Sequence, residues 1–466
     1  MNLDLYRHIY FIGIGGIGMS ALARYFNTKG RRVYGYDQIK SSLCIELEKE
    51  GVHINYLDDP SSISDLIQES AASDVLVIYT PAISHNNQIF TFFRDKKFKI
   101  LKRAEVLGEI SKQSFTVAVA GTHGKTTTST ILAHILHQSG KEITAFLGGI
   151  SRNYNTNLLL GESEHILIVE ADEFDKSFLQ IYADVAIITS VEADHLDTYK
   201  DKRDLDLAFK QFAFQIKQNG LLLVEESIPI DFSTPQGGLK LTYSAQAKAD
   251  YFADNIRVKN GKMIFDMHVL DVISAINFNK TQKDIELQLP GLHNVSNAVV
   301  AAVVACYLGS TSDDIVEGIS TFQGVVRRFE KHIDTEQLVY IDDYAHHPKE
   351  VSVTIDATKQ LYPARQLIVV FQPHLFSRTR DFANEFATSL QRADDLVLLD
   401  IYPAREKPIR GIDSQMLLDL CDNPKKEFCS KDELLSVLEN KNIDVLLTLG
   451  AGDIAALVQP IKHMLN

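Results

Sequence analysis

Short apolar runs alternate with stretches of helical periodicity at the start of the chain. Residues 8–14, 33–37 and 75–80 are apolar runs of strand length, and each is separated from the next by a stretch long enough for a helix. Apolar runs joined by helices predict parallel strands whose sheet is covered on both faces. The first part of the chain is therefore predicted to be an α/β unit.

The same alternation restarts twice. A second unit begins with strands at 115–120, 166–170, 185–189 and 220–224; a third has strands at 338–342, 366–371, 395–400 and 445–449. The polar stretch 231–289 between them predicts an inserted or edge antiparallel sheet, followed by a helix over 294–308. Gly324–Phe329 suits a hinge. The pattern predicts three α/β units, with boundaries 1–112, 113–323 and 324–466.

Composition narrows the class of protein. The chain has 466 residues, 45% of them hydrophobic and 23% charged, with a formal net charge of −14. This acidity argues against a general nucleic-acid binder, whose surface would be basic. No run reaches the length of about 18 apolar residues that a membrane span needs, and the N-terminus lacks signal-peptide features. We therefore expect a cytoplasmic protein without a membrane segment, with its four cysteines reduced.

The sharpest motif is a glycine-rich loop that follows the strand predicted at 115–120. It precedes a helical pattern predicted to begin near Thr128. Backbone N–H groups at such a strand–loop–helix junction surround an anion, while a lysine reaches the β- and γ-phosphates and a threonine hydroxyl binds Mg²⁺. The motif predicts a nucleoside triphosphate site comprising Gly121, Thr122, His123, Gly124, Lys125, Thr126 and Thr127.

Acidic residues follow two strands of the same unit. Glu170 and Glu173 lie at the end of the strand predicted at 166–170, and His195 stands between two acids soon after the strand at 185–189. Carboxylates at the carboxyl ends of parallel strands, next to a phosphate loop, suit a hard cation such as Mg²⁺. His195 could be a further ligand through its neutral imidazole.

A second glycine-rich turn opens the chain. Its residues follow the first predicted strand and precede a helix, and an acid ends the next strand about 20 residues later, as in a dinucleotide fingerprint. The pattern predicts a diphosphate on a helix N-terminus with a ribose nearby. NAD would satisfy it, and UDP would satisfy it equally well. The residues concerned are Gly13, Gly15, Gly16, Gly18 and Asp37.

Taken in order, the motifs resemble those of the Mur ligase family almost from end to end. They are HIYFIGIGGIGMSALA, GTHGKTTT, EADEFDKSF, EADHLDTY, PGLHNVSNAVVAA, GVVRRFE, DDYAHHPKE, FQPHLFSRTRD and GAGDI. The resemblance implies a Rossmann-like UDP-sugar domain, a central P-loop ATPase domain and a Rossmann-like amino-acid domain. It also implies ATP-dependent joining of L-alanine to UDP-N-acetylmuramate through an acyl phosphate.

The resemblance also implies roles for individual residues. Lys125 would hold the phosphates, with Thr126, Glu170, His195 and, as a weaker candidate, Glu173 on the metal. ATP would be contacted on its adenine side by His293, Asn294 and Asn297. Arg328 would contact its phosphates, and Asp343 would be an acid that also contacts ATP. Tyr344, His346 and His347 would face the amino acid, and His374, Arg378 and Arg380 would hold its carboxylate and the intermediate. The implied catalytic set is Lys125, His195, Arg328, His374, Arg378 and Arg380.

The chain departs from the common family pattern at Leu375, Ser190 and Arg405, and carbamylation of Lys210 is a further hypothesis. Alternatives to alanine ligation are a family member that attaches a recycled tripeptide, an NAD(P)-dependent oxidoreductase, and a non-catalytic nucleotide-binding regulator. We expect small-molecule substrates, no nucleic-acid or membrane partner, and a monomer or dimer.

Overall fold

The structure, a computed structural model, describes residues 1–84, 86–162, 166–192, 199, 201–259, 261–270, 281–404 and 406–466. Its strands are β1 His8–Ile12, β2 Arg32–Tyr36, β3 His53–Asn55, β4 Val75–Tyr79, β5 Lys99–Lys102, β6 Phe115–Ala120, β7 Ile143–Ser151, β8 Thr156–Leu160, β9 Ile166–Ala171, β10 Val185–Ile188, β11 Leu221–Glu225, β12 Leu239–Ser244, β13 Tyr251–Lys259, β14 Lys262–Val269, β15 Thr281–Leu287, β16 Glu330–Asp334, β17 Val339–Asp343, β18 Leu367–Phe371, β19 Asp395–Leu398, β20 Lys426–Phe428 and β21 Val445–Leu449.

The α-helices of the described part are α1 Ile17–Thr28, α2 Ser42–Lys49, α3 Asp65–Glu69, α4 Gln88–Asp95, α5 Arg103–Ser111, α6 Lys125–Gln138, α7 Lys202–Phe214, α8 Leu292–Tyr307, α9 Ser312–Thr321, α10 Pro348–Leu361, α11 Phe376–Asp381, α12 Ala383–Leu390, α13 Ser414–Leu420, α14 Leu434–Glu439 and α15 Val458–Leu465. None of these helices combines the length and apolar composition that crossing a bilayer requires.

The first sheet has the strand order β3-β2-β1-β4-β5. All of its pairs are parallel, as the apolar runs predicted. The chain order reverses at β1, so the crevice at the carboxyl ends of β1 and β4 is the place where open α/β sheets bind ligands. The glycine-rich turn after β1 lies at this edge.

The central sheet has the order β15-β14-β13-β12-β11-β10-β6-β9-β7-β8. β6 lies between β9 and β10, parallel to both, so the carboxyl ends of these three strands meet at one edge. The prediction of an antiparallel sheet over 231–289 is wrong for β12, which pairs in parallel with β11 and β13. It is correct that this stretch extends the edge of the sheet.

Packing divides the chain into two compact units. One comprises 1–254, 266–285 and 296–322, and the other comprises 255–265, 286–295 and 323–466. Within the first unit, one hydrophobic core joins the first and central sheets, with α1 packed against β7 and β8. The rings of Tyr25 and Phe146 lie 5.4 Å apart across this contact. Asn157 donates to the carbonyl of Ile17 at 2.7 Å.

The second unit is built around a sheet of order β16-β17-β21-β18-β19-β20. β16 is antiparallel to β17, and the remaining pairs are parallel. Buried side chains cover both faces of this sheet in separate clusters. The α/β class predicted from the sequence is confirmed.

Candidate active site

The loop predicted to bind phosphate, residues 121–124 and called the phosphate loop below, connects β6 to α6. The helix begins at Lys125, three residues before the predicted start near Thr128, because Gly124 adopts the left-handed conformation, with φ 84°, and acts as the N-cap. The first-turn N–H groups of a helix have no acceptor within the helix, and the helix dipole adds positive potential there. The start of α6 therefore has the electrostatics of an anion site.

Close packing requires glycine at both ends of the loop. A Cβ atom on Gly121, whose φ is 137°, would lie 2.1 Å from the Thr189 hydroxyl oxygen. A Cβ atom on Gly124 would lie 2.8 Å from the side-chain oxygen of Asn297. The structure thus brings Asn297, predicted on the adenine side of ATP, directly against the loop.

The loop is also tied to the segment that follows β10. The Thr122 N–H donates to the Ser190 carbonyl at 3.1 Å, and the His123 N–H donates to the Ser190 hydroxyl at 2.8 Å. The Glu192 N–H donates to the Thr122 hydroxyl at 2.9 Å. Ser190, which departs from the family pattern, therefore helps to shape the loop.

Lys125 is enclosed by oxygen atoms. Its ammonium donates to the Gly121 carbonyl at 2.5 Å and to Glu173 at 2.6 Å, and the two side chains of this ion pair are only 15% and 2% exposed. Burial acts to lower the pKa of Lys125, but the negative charges of Glu173, Asp172 and Glu170 outweigh it and raise that pKa. The lysine is therefore a fixed positive charge at the loop.

Glu170 lies beside the hydroxyl of Thr126. Its carboxylate accepts hydrogen bonds from that hydroxyl at 3.1 Å, from the Ser129 hydroxyl at 3.2 Å and from the Gly148 N–H at 2.7 Å. Burial raises the pKa of Glu170 despite these donors. A half-buried carboxylate next to a hydroxyl is a donor set that suits a hard divalent cation such as Mg²⁺.

The metal site predicted from the sequence is only partly within the described residues. Thr126 and Glu170 are together, whereas Glu173 pairs with Lys125. His195 lies outside the described residues, as does Arg405. Among the residues that the structure describes, no group of three His, Cys, Asp or Glu side chains is arranged around a common metal position.

Gly148 is a site residue that the sequence analysis missed. A Cβ atom there would lie 2.3 Å from a carboxylate oxygen of Glu170, so only glycine allows this contact. The pair Gly148-Gly149 inside an apolar strand was a signal, because glycine within a strand often marks a close approach of the backbone to another group.

The N-terminal glycine turn is closed by Asp37. The Gly15 N–H donates to one carboxylate oxygen of Asp37 at 2.8 Å, and the Ile39 N–H donates to the other at 3.0 Å. Gly16 is the N-cap of α1. A Cβ atom on Gly18 would lie 2.7 Å from the guanidinium of Arg103, a residue not among the predicted binding residues.

In the second unit, Asp343 is buried at the end of β17. Its carboxylate oxygens accept from the Phe329 N–H at 2.6 Å and from the Ala345 N–H at 2.7 Å. Burial raises the pKa of Asp343 to about 6, although the charge of Arg328 opposes the shift. Asp343 therefore binds the backbone of the segment that carries Arg328.

Glu350 contacts several of the residues predicted to bind the amino-acid substrate. The sequence analysis did not predict a role for it. Its carboxylate accepts from the His346 and His347 N–H groups at 3.0 and 3.2 Å, and lies 3.9 Å from the Arg328 guanidinium. The ring of His346 lies 5.3 Å from that of Tyr344 and 5.6 Å from that of His374. The structure thus brings these rings together.

Other predicted residues lie on α11 and at the start of α8. Arg378 and Arg380 lie on α11, where exposed Arg380 pairs with Asp381 at 2.7 Å. Leu375 precedes α11 with a left-handed φ of 72°. The helix α8 begins at Leu292, so Asn294 lies inside its first turn. The side chain of Asn294 donates to the Pro290 carbonyl at 2.7 Å.

Comparison with known proteins matches the whole length of the chain. Residues 8–115 match the model of the "Mur ligase family, catalytic domain", 119–305 that of the "Mur ligase middle domain", and 327–452 that of the "Mur ligase, glutamate ligase domain". A protein of Flavobacterium johnsoniae named UDP-N-acetylmuramate–L-alanine ligase is 45% identical over 466 residues, covering 100% of this chain and 99% of its own.

Solved structures agree. The UDP-N-acetylmuramate–alanine ligase of Thermotoga maritima aligns with a TM-score of 0.80 and 27% identity, over 98% of each chain. A murein peptide ligase of Psychrobacter arcticus aligns with a TM-score of 0.70 and 24% identity, also over 98% of each, which shows a shared fold. The full-length identity and the three matched models, in an order that fits the three sheets, establish that this chain belongs to the Mur ligase family of enzymes.

Proposed function

We propose that the chain catalyses the ATP-dependent joining of L-alanine to UDP-N-acetylmuramate. The observation that carries the proposal is the 45% identity, over the full length, to a relative named for that reaction. The geometry of the loop supports it, because Lys125 supplies a fixed cation and Thr126 and Glu170 place two oxygen donors that would suit a divalent cation at one helix N-terminus.

In the proposed reaction, the carboxylate of the sugar acid attacks the γ-phosphorus of ATP and displaces ADP, which gives an acyl phosphate. The amine of L-alanine then attacks the acyl carbon, and inorganic phosphate leaves. Two anions meet in the first step, so positive charge must be held where it develops. Lys125 holds such a charge, and a Mg²⁺ ion on Thr126 and Glu170 would neutralise phosphate oxygens.

We assign the other predicted residues on the same basis. Asn297, which lies against the loop, would contact the nucleotide, and the turn closed by Asp37 would bind the UDP group on the N-terminus of α1. Arg328 would reach the phosphates. The rings of His346 and His374 would face the amino acid. The domain division 1–112, 113–323 and 324–466, the cytoplasmic location and a monomer or dimer remain predictions.

A phosphate-release assay tests the proposal directly. With ATP, Mg²⁺ and UDP-N-acetylmuramate present, we expect phosphate release to depend on L-alanine and a product that carries one alanine. Release with a tripeptide but not with free L-alanine would assign the chain to tripeptide attachment instead. A nicotinamide cofactor should leave the melting temperature unchanged, whereas the UDP-sugar should raise it.

A further inference from the structure

The segment that carries Arg328 has an unusual backbone. Arg327 and Phe329, the residues on either side of it, both have left-handed φ angles, of 60° and 47°. Side chains other than glycine, asparagine and aspartate rarely adopt this region, and such residues persist only where their surroundings hold them. Two of them around one arginine indicate a conformation that is imposed by specific contacts.

Among the residues that the structure describes, the contacts that hold Arg327 lie inside the second unit. Its guanidinium donates to the Asp342 carboxylate at 2.8 Å and to the Gly450 carbonyl at 2.6 Å. Its N–H donates to Glu330 at 2.9 Å, and its carbonyl accepts from the Tyr344 N–H at 2.7 Å. The residue is therefore anchored through both its backbone and its side chain to the carboxyl ends of β17 and β21.

The two neighbouring arginines differ in what they contact. The Arg327 side chain is 16% exposed, and its partner Asp342 is fully buried. The Arg328 side chain is 33% exposed, lies over the Tyr344 ring at 5.2 Å and is 3.9 Å from Glu350. The Arg327 guanidinium, which also lies over the Tyr344 ring at 5.5 Å, is held by two direct hydrogen bonds, whereas the Arg328 guanidinium is more exposed and its carboxylate contact is longer.

We infer that Arg327 is a positioning residue for Arg328, on which it acts by holding the left-handed segment against Asp342 and Gly450. The inference rests on the proposed function, in which Arg328 contacts the phosphates of ATP. A planar guanidinium that spans a carboxylate and a carbonyl sets an orientation that a single point charge does not. Loss of this anchor would leave Arg328 present but misdirected.

A double-mutant cycle separates this role from a general structural one. Arg327→Gln should lower kcat/KM for ATP about tenfold when Arg328 is present, and less than about twofold in the Arg328→Gln background, because residues that act through one another are not additive. KM for the UDP-sugar should stay the same. Arg327→Lys restores a charge opposite Asp342 and should recover stability but only part of the activity.

Arg365 provides a matched control. Its side chain is 19% exposed, pairs with Asp444 and donates to the carbonyl of that residue at 2.8 Å, but at the amino end of β21. Arg365→Gln should cost stability without changing kcat/KM for ATP. Equal losses from Arg327→Gln in both backgrounds, or no loss in either, would overturn the inference.

The cycle is also measured on the affinity for ATP with Mg²⁺ by calorimetry, which needs no acceptor substrate. Coupling of the two arginines in ATP affinity supports the inference even if L-alanine proves not to be the substrate. Additivity in a chain that does release phosphate with L-alanine refutes the inference and leaves the proposed function intact.

Discussion

The buried ion pair of Lys125 and Glu173 makes a prediction that separates catalysis from stability. The two side chains are 15% and 2% exposed, so replacing Lys125 by methionine keeps most of the volume but leaves the Glu173 carboxylate buried without its cation. Breaking one side of a buried pair costs about 3 kcal/mol. We expect Lys125→Met to lose that much stability and to lose phosphate release.

In a unit of this size, 1 kcal/mol moves the melting temperature by about 2 °C, so Lys125→Met should melt about 6 °C below the wild type. The double variant Lys125→Met with Glu173→Gln removes both charges. It should recover most of this loss and remain inactive. Because the pKa of Lys125 is raised, the contribution of its protonation to stability is fully present at neutral pH and is lost as the pH rises through the folded-state pKa.

Lys441 is the control for this experiment. It pairs with Asp395 at 2.8 Å, with side chains 14% and 7% exposed, in the other unit. Lys441→Met should be destabilised to a similar extent and still release phosphate at the wild-type rate below its melting temperature. An unchanged melting temperature for Lys125→Met would refute the burial argument, and full turnover would refute the assignment of the phosphate loop.

Three further predictions concern single positions. Gly121→Ala places a Cβ atom 2.1 Å from Thr189 and should abolish ATP binding measured by calorimetry. Its control is Gly140→Ala, whose Cβ atom meets open space. This variant should keep ATP binding and lose about 1 kcal/mol of stability, because the φ angle of Gly140 is also positive. Glu170→Gln retains partners for its three hydrogen bonds, so this variant should melt within about 2 °C of the wild type. It should nevertheless lose Mg²⁺-dependent phosphate release. Retained release would exclude Glu170 as a metal ligand. Asp343 has a folded-state pKa of about 6, so it binds more protons in the folded than in the unfolded state. The free energy of unfolding should therefore fall as the pH rises from about 4 to 6, by up to about 3 kcal/mol. Denaturant titrations should show this slope for the wild type and not for Asp343→Asn.

The local pattern of the chain determined which segments form strands and helices. The apolar runs at 115–120 and 445–449 coincide with β6 and β21, because a strand covered on both faces needs continuous apolar side chains. The glycine spacing around Lys125 likewise predicted the loop, since glycine adopts the positive φ angles found there without the steric cost of a side chain. These properties depend on neighbours in the chain.

Only the tertiary structure decided which groups, distant in the sequence, form ion pairs or hydrogen bonds with one another. Glu173, a weaker metal candidate in the sequence prediction, accepts a hydrogen bond from Lys125 in the fold, and the N–H group that donates to Glu170 comes from Gly148 on a different strand. The Asp343 carboxylate, at the end of β17, likewise accepts a hydrogen bond from the N–H of Phe329, which immediately precedes β16. Sequence spacing cannot specify such pairs, because strand order and packing determine them, and the pKa of each buried group follows from the partners that packing supplies.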